Sequence, residues 1–490
     1  MDGVLFFYLL SKLLTAVFFF KLIITMLKYQ EDIIAAIATA VGNGAITIVR
    51  VSGKGSIETI NKIFSGKNKL VSANSHTLHH GKILDSGEEV IDEVLATVLR
   101  HPHTYTTEDM VEINCHGGWF VTNRILQTIL QAGARLAEPG EFTKRAFLNG
   151  RIDLAQAEAV ADMIQARSEL ALKSSISQLE GILSQKIINI NTQLINIISL
   201  LELELDFIEE NLVLTDFSTV LKNLNSIKTE IEKLINSFKI GKLYREGVKV
   251  VIAGLPNVGK SSLLNLLLEE DRAIVTHLPG TTRDIIEENF IINGALFKLI
   301  DTAGIRLTDD IIESEGIKRS HENIENADII LYIIDCSRSN FDEDISLIQK
   351  LMDRNNHMLI IFNKIDLISD TELQNNPIKK KLRNYNMSEI SALSGAGLHT
   401  LRESIFNATL SDRIISTESS ILITNERHKQ ALVEALKSLD LAITSLTNKM
   451  SNEFISLDIR LCLDSLGTII GKSTTDDILN NIFSKFCIGK

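Results

Sequence analysis

Gly254-Leu255-Pro256-Asn257-Val258-Gly259-Lys260-Ser261 decides how this chain is read. The stretch fits Gly-x4-Gly-Lys-Ser, the pattern of a loop that folds its backbone N–H groups around phosphate oxygens. Its flanks agree. The β-branched run Val248 to Ala253 reads as a strand leading in, and Ser262 to Leu268 as a helix leading out. In such a loop Lys260 reaches the outer phosphates and the Ser261 hydroxyl ligates Mg²⁺. A chance glycine-rich turn would need neither the strand nor the helix.

Three further segments follow in the order that a guanine-nucleotide switch requires. Asp301-Thr302-Ala303-Gly304 comes after the apolar run Phe297 to Ile300. Its carboxylate can hold Mg²⁺ through water, and its Gly N–H can sense a γ-phosphate. Asn363-Lys364-Ile365-Asp366 comes after Met358 to Phe362. The carboxylate of Asp366 can accept from guanine N1–H and N2–H₂ together, a pair that adenine does not offer. Ser391-Ala392-Leu393 then closes on the base. Each segment alone is weak, but four in register over about 140 residues are specific and favour GTP over ATP. The expected nucleotide contacts are Asn257, Val258, Gly259, Lys260, Ser261 and Ser262 in the loop, Asp301 to Gly304, Asn363, Lys364, Asp366, Ser391 and Ala392.

The remainder of the chain bounds the answer. At 490 residues it has room for about three domains. A net charge of −12 excludes a bulk-basic nucleic-acid binder, so any RNA contact must rest on local patches. Lys379, Lys380, Lys381 and Arg383 form one such cluster, which reads as a solvated helix face. Four scattered cysteines suit a reducing cytoplasm. His101, His103, Cys115 and His116 lack the paired spacing of a zinc finger. Val4 to Leu27 is strongly apolar but contains Lys12 and Lys21. Both lysines disfavour a membrane span, and a signal peptide would need a small-residue cleavage site. Residues 1–29 read instead as an upstream-extended start, because the domain-like pattern begins directly after them.

Residues 30–150 mix β-rich runs (Ile33–Ala38, Ala45–Val51, Glu89–Leu99) with helical stretches near 55–65 and 119–132, which predicts an α+β domain. From Ile152 to about Lys239 apolar residues recur at three and four spacing, as in Leu179, Ile182, Leu183, Ile187 and Ile190. Long antiparallel helices are the expectation. The fold class is therefore multidomain, α+β and α/β. It has a helical domain over 151–245 and 411–490, into which an α/β nucleotide domain over 246–410 is inserted.

Three segments narrow the function. Glu138-Pro139-Gly140-Glu141-Phe142-Thr143-Lys144-Arg145 runs on through Asn149-Gly150-Arg151-Ile152-Asp153-Leu154-Ala155-Gln156-Ala157-Glu158. Thr106-Thr107-Glu108-Asp109 leads to Glu112-Ile113-Asn114-Cys115-His116-Gly117-Gly118, and the chain ends in Phe486-Cys487-Ile488-Gly489-Lys490. Together these resemble the tRNA-modifying GTPase family MnmE, also called TrmE, over about residues 30–490. The resemblance implies an N-terminal folate-binding and dimerisation domain, a helical domain and an inserted Ras-like G domain. It implies a homodimer that acts with an FAD-dependent MnmG-type subunit on C5 of the wobble uridine of certain tRNAs. The implied one-carbon donor is 5-formyl- or methylene-tetrahydrofolate. By motif, Arg50, Glu112, Arg151 and Lys490 would contact the folate, and Cys487 would be catalytic. The family's Pro-Pro-Gly-Arg-Gly-Gly stretch is replaced here by Ala40-Val41-Gly42-Asn43-Gly44-Ala45.

For hydrolysis, the residue after Asp-x-x-Gly is Ile305, which cannot orient water as a glutamine would. Asp309, Asp310, Glu313 and Glu315 are the nearby carboxylates, and the resemblance selects Glu313. It also implies a K⁺ site made by Asn257 with Thr276, Leu278 and Thr281. The surrounding segment Thr276-His277-Leu278-Pro279-Gly280-Thr281-Thr282 wraps the nucleotide, and Thr282 joins Ser261 on Mg²⁺. The competing reading is a ribosome-assembly GTPase of the Era or Der type, which would share the G motifs but needs neither the N-terminal domain nor the Cys-Ile-Gly-Lys ending.

Overall fold

The computed structural model describes residues 32–40, 42, 44–206, 216–269, 288–300, 323–353, 357–411 and 421–490. The apolar segment Val4 to Leu27, Val41 and Asn43 of the altered loop, Thr276 to Thr282, Asp301 to Gly304 and Glu313 lie outside the described residues. Among the described residues no helix is long and apolar enough to cross a membrane. Contacts divide the chain into two units, Met1–Ala161 with Ile470–Lys490, and Asp162–Ile469.

In the first unit, β1 (Ile34–Ile37), β2 (Ile46–Ser52), β3 (Phe64–Gly66), β4 (Thr77–Leu84), β5 (Val90–Leu99), β6 (Met110–His116) and β7 (Arg135–Leu136) form one sheet. Its order is β3-β4-β5-β6-β2-β1-β7, and only the β1–β7 pair is parallel. Strand alternation makes the sheet two-faced. Val49, Val51, Val94, Ala96, Val98, Val111 and Ile113 point inward, onto Ile57 and Ile60 of α1 (Ser56–Ile63) and Ile125 and Ile129 of α2 (Trp119–Gln131). The other face carries Arg50, opposite Glu112, which is opposite Thr97 in the register. Leu95 and Ile46 stand exposed on it.

The sequence reading joins all of 411–490 to the helical domain. Its last stretch, Ile470–Lys490, packs on the first unit. The reason is apolar. Helix Asp476–Phe483 lays Phe483, 2% exposed, beside Phe147 of α3 (Glu141–Leu148), with ring centroids 6.4 Å apart. Phe486 follows at 5.5 Å from Phe483. Each such ring contributes about 1.5–3 kcal/mol on burial. The Lys144 ammonium donates to Asn480 Oδ1 at 3.0 Å, and the Gly140 N–H to the Cys487 carbonyl at 3.4 Å.

The second unit opens with helices. After α4 (Leu154–Gln165) come α5 (Glu169–Leu179), α6 (Ile182–Asp206) and α7 (Phe217–Glu246). Leu183, Ile187, Ile190, Leu194 and Leu201 make the buried stripe of α6. α7 runs into β8 (Val248–Ala253), and α8 (Lys260–Glu269) follows the intervening loop. β9 (Glu288–Ile292), β10 (Ala295–Leu299), β11 (Ile329–Asp335), β12 (Met358–Asn363) and β13 (Asn386–Glu389) complete a sheet of order β13-β12-β11-β8-β10-β9. All pairs are parallel except β9–β10. β11 and β12 are apolar and buried along their length, as strands covered on both faces must be. α9 (Asp342–Met352) and α10 (Leu398–Phe406) belong to the same α/β layer structure. α11 (Glu426–Thr447) then runs antiparallel to α7. Lys228 pairs with Asp440 at 2.7 Å, while Ser237 Oγ accepts from the Ile423 N–H at 3.0 Å.

Candidate functional site

Three of the nucleotide motifs, the phosphate loop, Asn363 to Asp366 and Ser391 to Leu393, converge beyond the carboxyl end of β8, where strand order reverses between β11 and β10. Ligands of open α/β sheets settle at such a point. The loop leaves β8 at Gly254 and turns at Asn257, a non-glycine residue at φ 62°. Gly259 follows at φ 102°, and a Cβ there would run into the Asn363 amide, so the position takes only glycine. Val258 is buried, whereas Asn257, Ser261 and Ser262 are exposed. Their side chains and the N–H groups at the start of α8 present donors and hydroxyls to an anion. Lys260 is 8% exposed and donates to the carbonyls of Gly254 at 2.9 Å and Leu255 at 2.8 Å. Burial holds its ammonium below the usual lysine range, so a phosphate beside it would relieve a desolvation cost.

Asn363 ties the motifs together. It is 2% exposed; its amide N–H donates to the Val258 carbonyl at 2.7 Å, and its Oδ1 accepts from the Ala392 N–H at 2.9 Å. The phosphate loop, the Asn-Lys-Ile-Asp segment and the Ser-Ala-Leu segment are thus stapled by one side chain. Lys364, at φ 65°, extends to Asp335 at 2.6 Å. Burial raises the Asp335 carboxyl, but hydrogen bonds from Lys364 and Ser337 outweigh it and leave the group below the ordinary range. The sequence reading missed Asp335; the only signal was its place at the end of an apolar run. Asp366 stays exposed on a short 3-10 turn, free to meet a base edge, and Ser391 is buried beneath it with its N–H bonded to the Ala396 carbonyl. Lys379 of the basic cluster pairs with Glu389 and covers the Phe362 ring.

In the first unit the structure brings Arg50, Glu112 and the chain end together. Arg50 donates from Nε and Nη2 to Glu112 Oε1, both at 2.8 Å, and from Nη1 to the Gly489 carbonyl at 3.3 Å. Gly489 sits at φ 96°, and a Cβ there would strike the Ile37 carbonyl, so the ending can lie this close only as glycine. Lys490 is half-buried and Cys487 exposed beside it. Tyr105, which sequence reasoning passed over, joins the remaining member. Its ring has the Arg50 guanidinium carbon 5.3 Å from the centroid and that of Arg151 at 4.9 Å, while the Arg151 Nη1 donates to the Tyr105 carbonyl at 2.8 Å.

Beneath these groups lies a buried ion network. Arg145, 1% exposed, pairs with Asp32 at 2.6 Å, Glu108 at 3.0 Å and Glu141 at 3.1 Å, and Arg135 pairs with Asp32 and Glu141. Burial raises the Glu141 carboxyl, yet the bonds from Arg135 and the Glu138 N–H, with the charge of Arg145, bring it below its ordinary value. Glu108 also accepts from Ser52 at 2.7 Å. The network fixes α3 against β1 and the loop before β6, and so sets where Tyr105 and Arg151 stand. Cys115 and His116 occupy opposite faces of β6, the thiol buried against the Thr47 carbonyl and the imidazole paired with Asp92.

Comparison with known proteins covers both units of the chain. A family model described as the MnmE helical domain matches residues 154–487, and one described as the GTP-binding protein TrmE N-terminus matches 33–151. The tRNA modification GTPase MnmE of Clostridioides difficile (strain 630) is 45% identical over 465 residues, covering 94% of this chain and 100% of that protein. The protein of the same name from Lachnoclostridium phytofermentans is 46% identical over 466 residues, covering 94% and 100%. Among solved structures, the G domain of the T. maritima FeoB iron transporter is 27% identical over 33% of this chain and 98% of that one, with a TM-score of 0.25. By the matched models and the near-complete alignment of both chains, this chain belongs to the tRNA modification GTPase MnmE family.

Proposed function

We propose that this chain hydrolyses GTP and couples that cycle to modification of the wobble uridine of certain tRNAs. The observation that carries the reading is the Gly489 carbonyl on Arg50 beside Glu112, in a chain that also holds a guanine-nucleotide loop set. A ribosome-assembly GTPase of the Era or Der type would need only the second.

Asn257 to Ser262 bind the phosphates, Asp366 reads guanine, and Ser391 and Ala392 close on the base. The donor set fits two cations. Ser261 and Thr282 would hold Mg²⁺, and Asn257 with Thr276, Leu278 and Thr281 would hold K⁺; together the ions neutralise charge that develops between the β and γ phosphates. Asp301 to Gly304 sense the γ-phosphate, and Glu313 orients the attacking water.

In the first unit Glu112, Arg50, Arg151 and Lys490 hold a tetrahydrofolate one-carbon donor, and Cys487 acts next to it. When bound, the folate supplies the carbon added at C5. The exposed apolar side chains Ile46, Leu78 and Leu95 of the open sheet face suit pairing with a second copy. An FAD-dependent MnmG-type subunit completes the redox chemistry. The four cysteines are free thiols, three of them buried, which suits the cytoplasm.

Mass spectrometry of wobble uridines in a strain lacking the gene, with and without complementation, tests the reading. The modified uridine should vanish and return. Intact uridine modification together with accumulated ribosomal precursors would favour the assembly GTPase. In matched chloride salts hydrolysis should run faster in K⁺ than in Na⁺; equal rates would remove the K⁺ site.

A further inference from the structure

Strand β3 forms one edge of the sheet in the first unit, and the chain around it departs from the composition of the rest. The protein carries 62 acidic against 50 basic residues. From Thr59 to Leu84, however, there is no acidic residue, while Lys62, Lys67, Lys69 and Lys82 all fall there. All four are exposed. Lysines elsewhere are neutralised, as in Lys186–Glu230 at 3.0 Å and Lys228–Asp440 at 2.7 Å; these four join no ion pair among the described residues.

Local structure gathers them. Lys62 lies in the last turn of α1, and Lys67 directly follows β3. Asn61 Oδ1 accepts from the Leu70 N–H at 2.8 Å, which folds the chain after β3 back onto the end of α1. The backbones of Lys69 and Lys62 are thereby set side by side. Ser65 stands opposite Lys82 in the β3–β4 register. Arg100 anchors the next stretch, donating from Nε to the Ala73 carbonyl at 3.0 Å and from Nη2 to the Val71 carbonyl at 2.8 Å. The nearest acids are few. Glu58 is one turn before Lys62, and Glu93, opposite Lys82, is already taken by His80 at 2.6 Å.

The residues between the lysines favour phosphate over protein as the partner. Ser65, Gly66, Asn68 and Ser72 are exposed among them, and β3 has a free backbone edge. Phosphate oxygens are met by lysine together with Ser and Asn side chains and backbone N–H groups. Protein interfaces deplete lysine and gather aromatics instead. From Thr59 to Leu84 the only Phe, Tyr or Trp is Phe64, which packs against the core.

We propose that the β3 edge seats the phosphate backbone of the tRNA, on Lys62, Lys67 and Lys69 with Lys82 beside them. The proposal rests on the tRNA reading above and assigns it a surface. These contacts fix where the RNA lies on the first unit and leave the choice of tRNA to other groups.

Anisotropy titration of the full chain with a labelled tRNA transcript carrying uridine at the wobble position tests this over a range of salt. The triple variant Lys62→Gln/Lys67→Gln/Lys69→Gln should weaken binding at least about tenfold and flatten the slope of log Kd against log salt by about 2. Arginine at the same three positions should restore both. Lys380→Gln/Lys381→Gln/Arg383→Gln, an equal charge change in the second unit, should alter neither. GDP affinity and melting should stay at wild-type values in every variant. Unchanged tRNA affinity and slope in the first variant would overturn the proposal and leave the coupled reaction standing, as would equal weakening by the second-unit variant. Intact tRNA binding with aggregation would make the lysines guards of an open strand edge, and intact tRNA binding with loss of the flavin-dependent partner would make the edge a protein seat; either overturns the proposal. If the unaltered chain binds no tRNA, the tRNA reading fails and the proposal falls with it.

Discussion

Replacing Asn363 tests the central structural claim about the nucleotide site. Its amide spans two backbone groups, donating to the Val258 carbonyl at 2.7 Å and accepting from the Ala392 N–H at 2.9 Å. Val258 is 1% exposed, so water cannot readily take over its carbonyl. Asn363→Ala leaves two backbone groups without partners, each worth about 1–3 kcal/mol when buried, and the half-buried Ala392 lies at the low end. The expected cost is about 2–4 kcal/mol. If all of it fell on the binding-competent loop, GDP affinity would drop by about 30-fold to 1,000-fold. Asn363→Asp is the sharper probe, because it keeps size and shape. It keeps the acceptor for Ala392 but sets a carboxylate oxygen against the Val258 carbonyl. It should therefore cost at least as much as alanine, although only one atom has changed. Titration of a fluorescent GDP analogue, with thermal melting of both variants, measures the two effects. Wild-type affinity and melting in Asn363→Asp would refute the staple.

The other predictions concern the first unit. Glu141 is held below its ordinary pKa of 4.5, so its contribution to stability is full above that pH and is lost as pH falls through the lower folded value. The urea-midpoint gap between the wild-type chain and Glu141→Gln, followed by the single tryptophan Trp119, should be widest near neutrality and close below about pH 4.5; a gap independent of pH would contradict the network. Gly489→Val drives a side chain toward the Ile37 carbonyl, so it should abolish the modified uridine while GDP affinity stays within about twofold; a parallel loss of GDP binding would count against it. Cys487→Ser should preserve GTP hydrolysis and remove the modified uridine, and wild-type uridine levels would exclude Cys487 from the chemistry.

Local patterns were legible because they depend on neighbours. The run Val248 to Ala253 is β8 to the residue, and the helical stretches near 55–65 and 119–132 are α1 and α2. Of the motif residues, Val258 of the phosphate loop, Asn363 and Ala392 stand within one hydrogen-bonded set. What escaped depends on distance along the chain. Tyr105 matters only because α3 and the ion network bring it between two arginines, and no periodicity marks it. Arg50 meets Glu112 across 62 residues and Gly489 across 439, through strand register and an aromatic anchor. Residues 470–490 follow a helical pattern, and nothing in it marks that Phe483 packs beside Phe147 of α3 or Phe486 beside Phe483. Strand β4 was missed, since half of its residues face outward and break the apolar run.

The return of Ile470–Lys490 to the first unit has a consequence for biosynthesis. The sheet of that unit is translated before the whole of the second unit, and its last helix and Gly489 after it. Between them lie roughly 300 residues, which at about 5–20 residues per second occupy the ribosome for about 15–60 s. Throughout that interval Phe147 lacks its cover and Arg50 lacks its third partner. A chain cut short between Leu393 and Ile470 therefore carries every guanine-nucleotide motif but never finishes the Arg50 site, so such a product lacks competence for the coupled reaction.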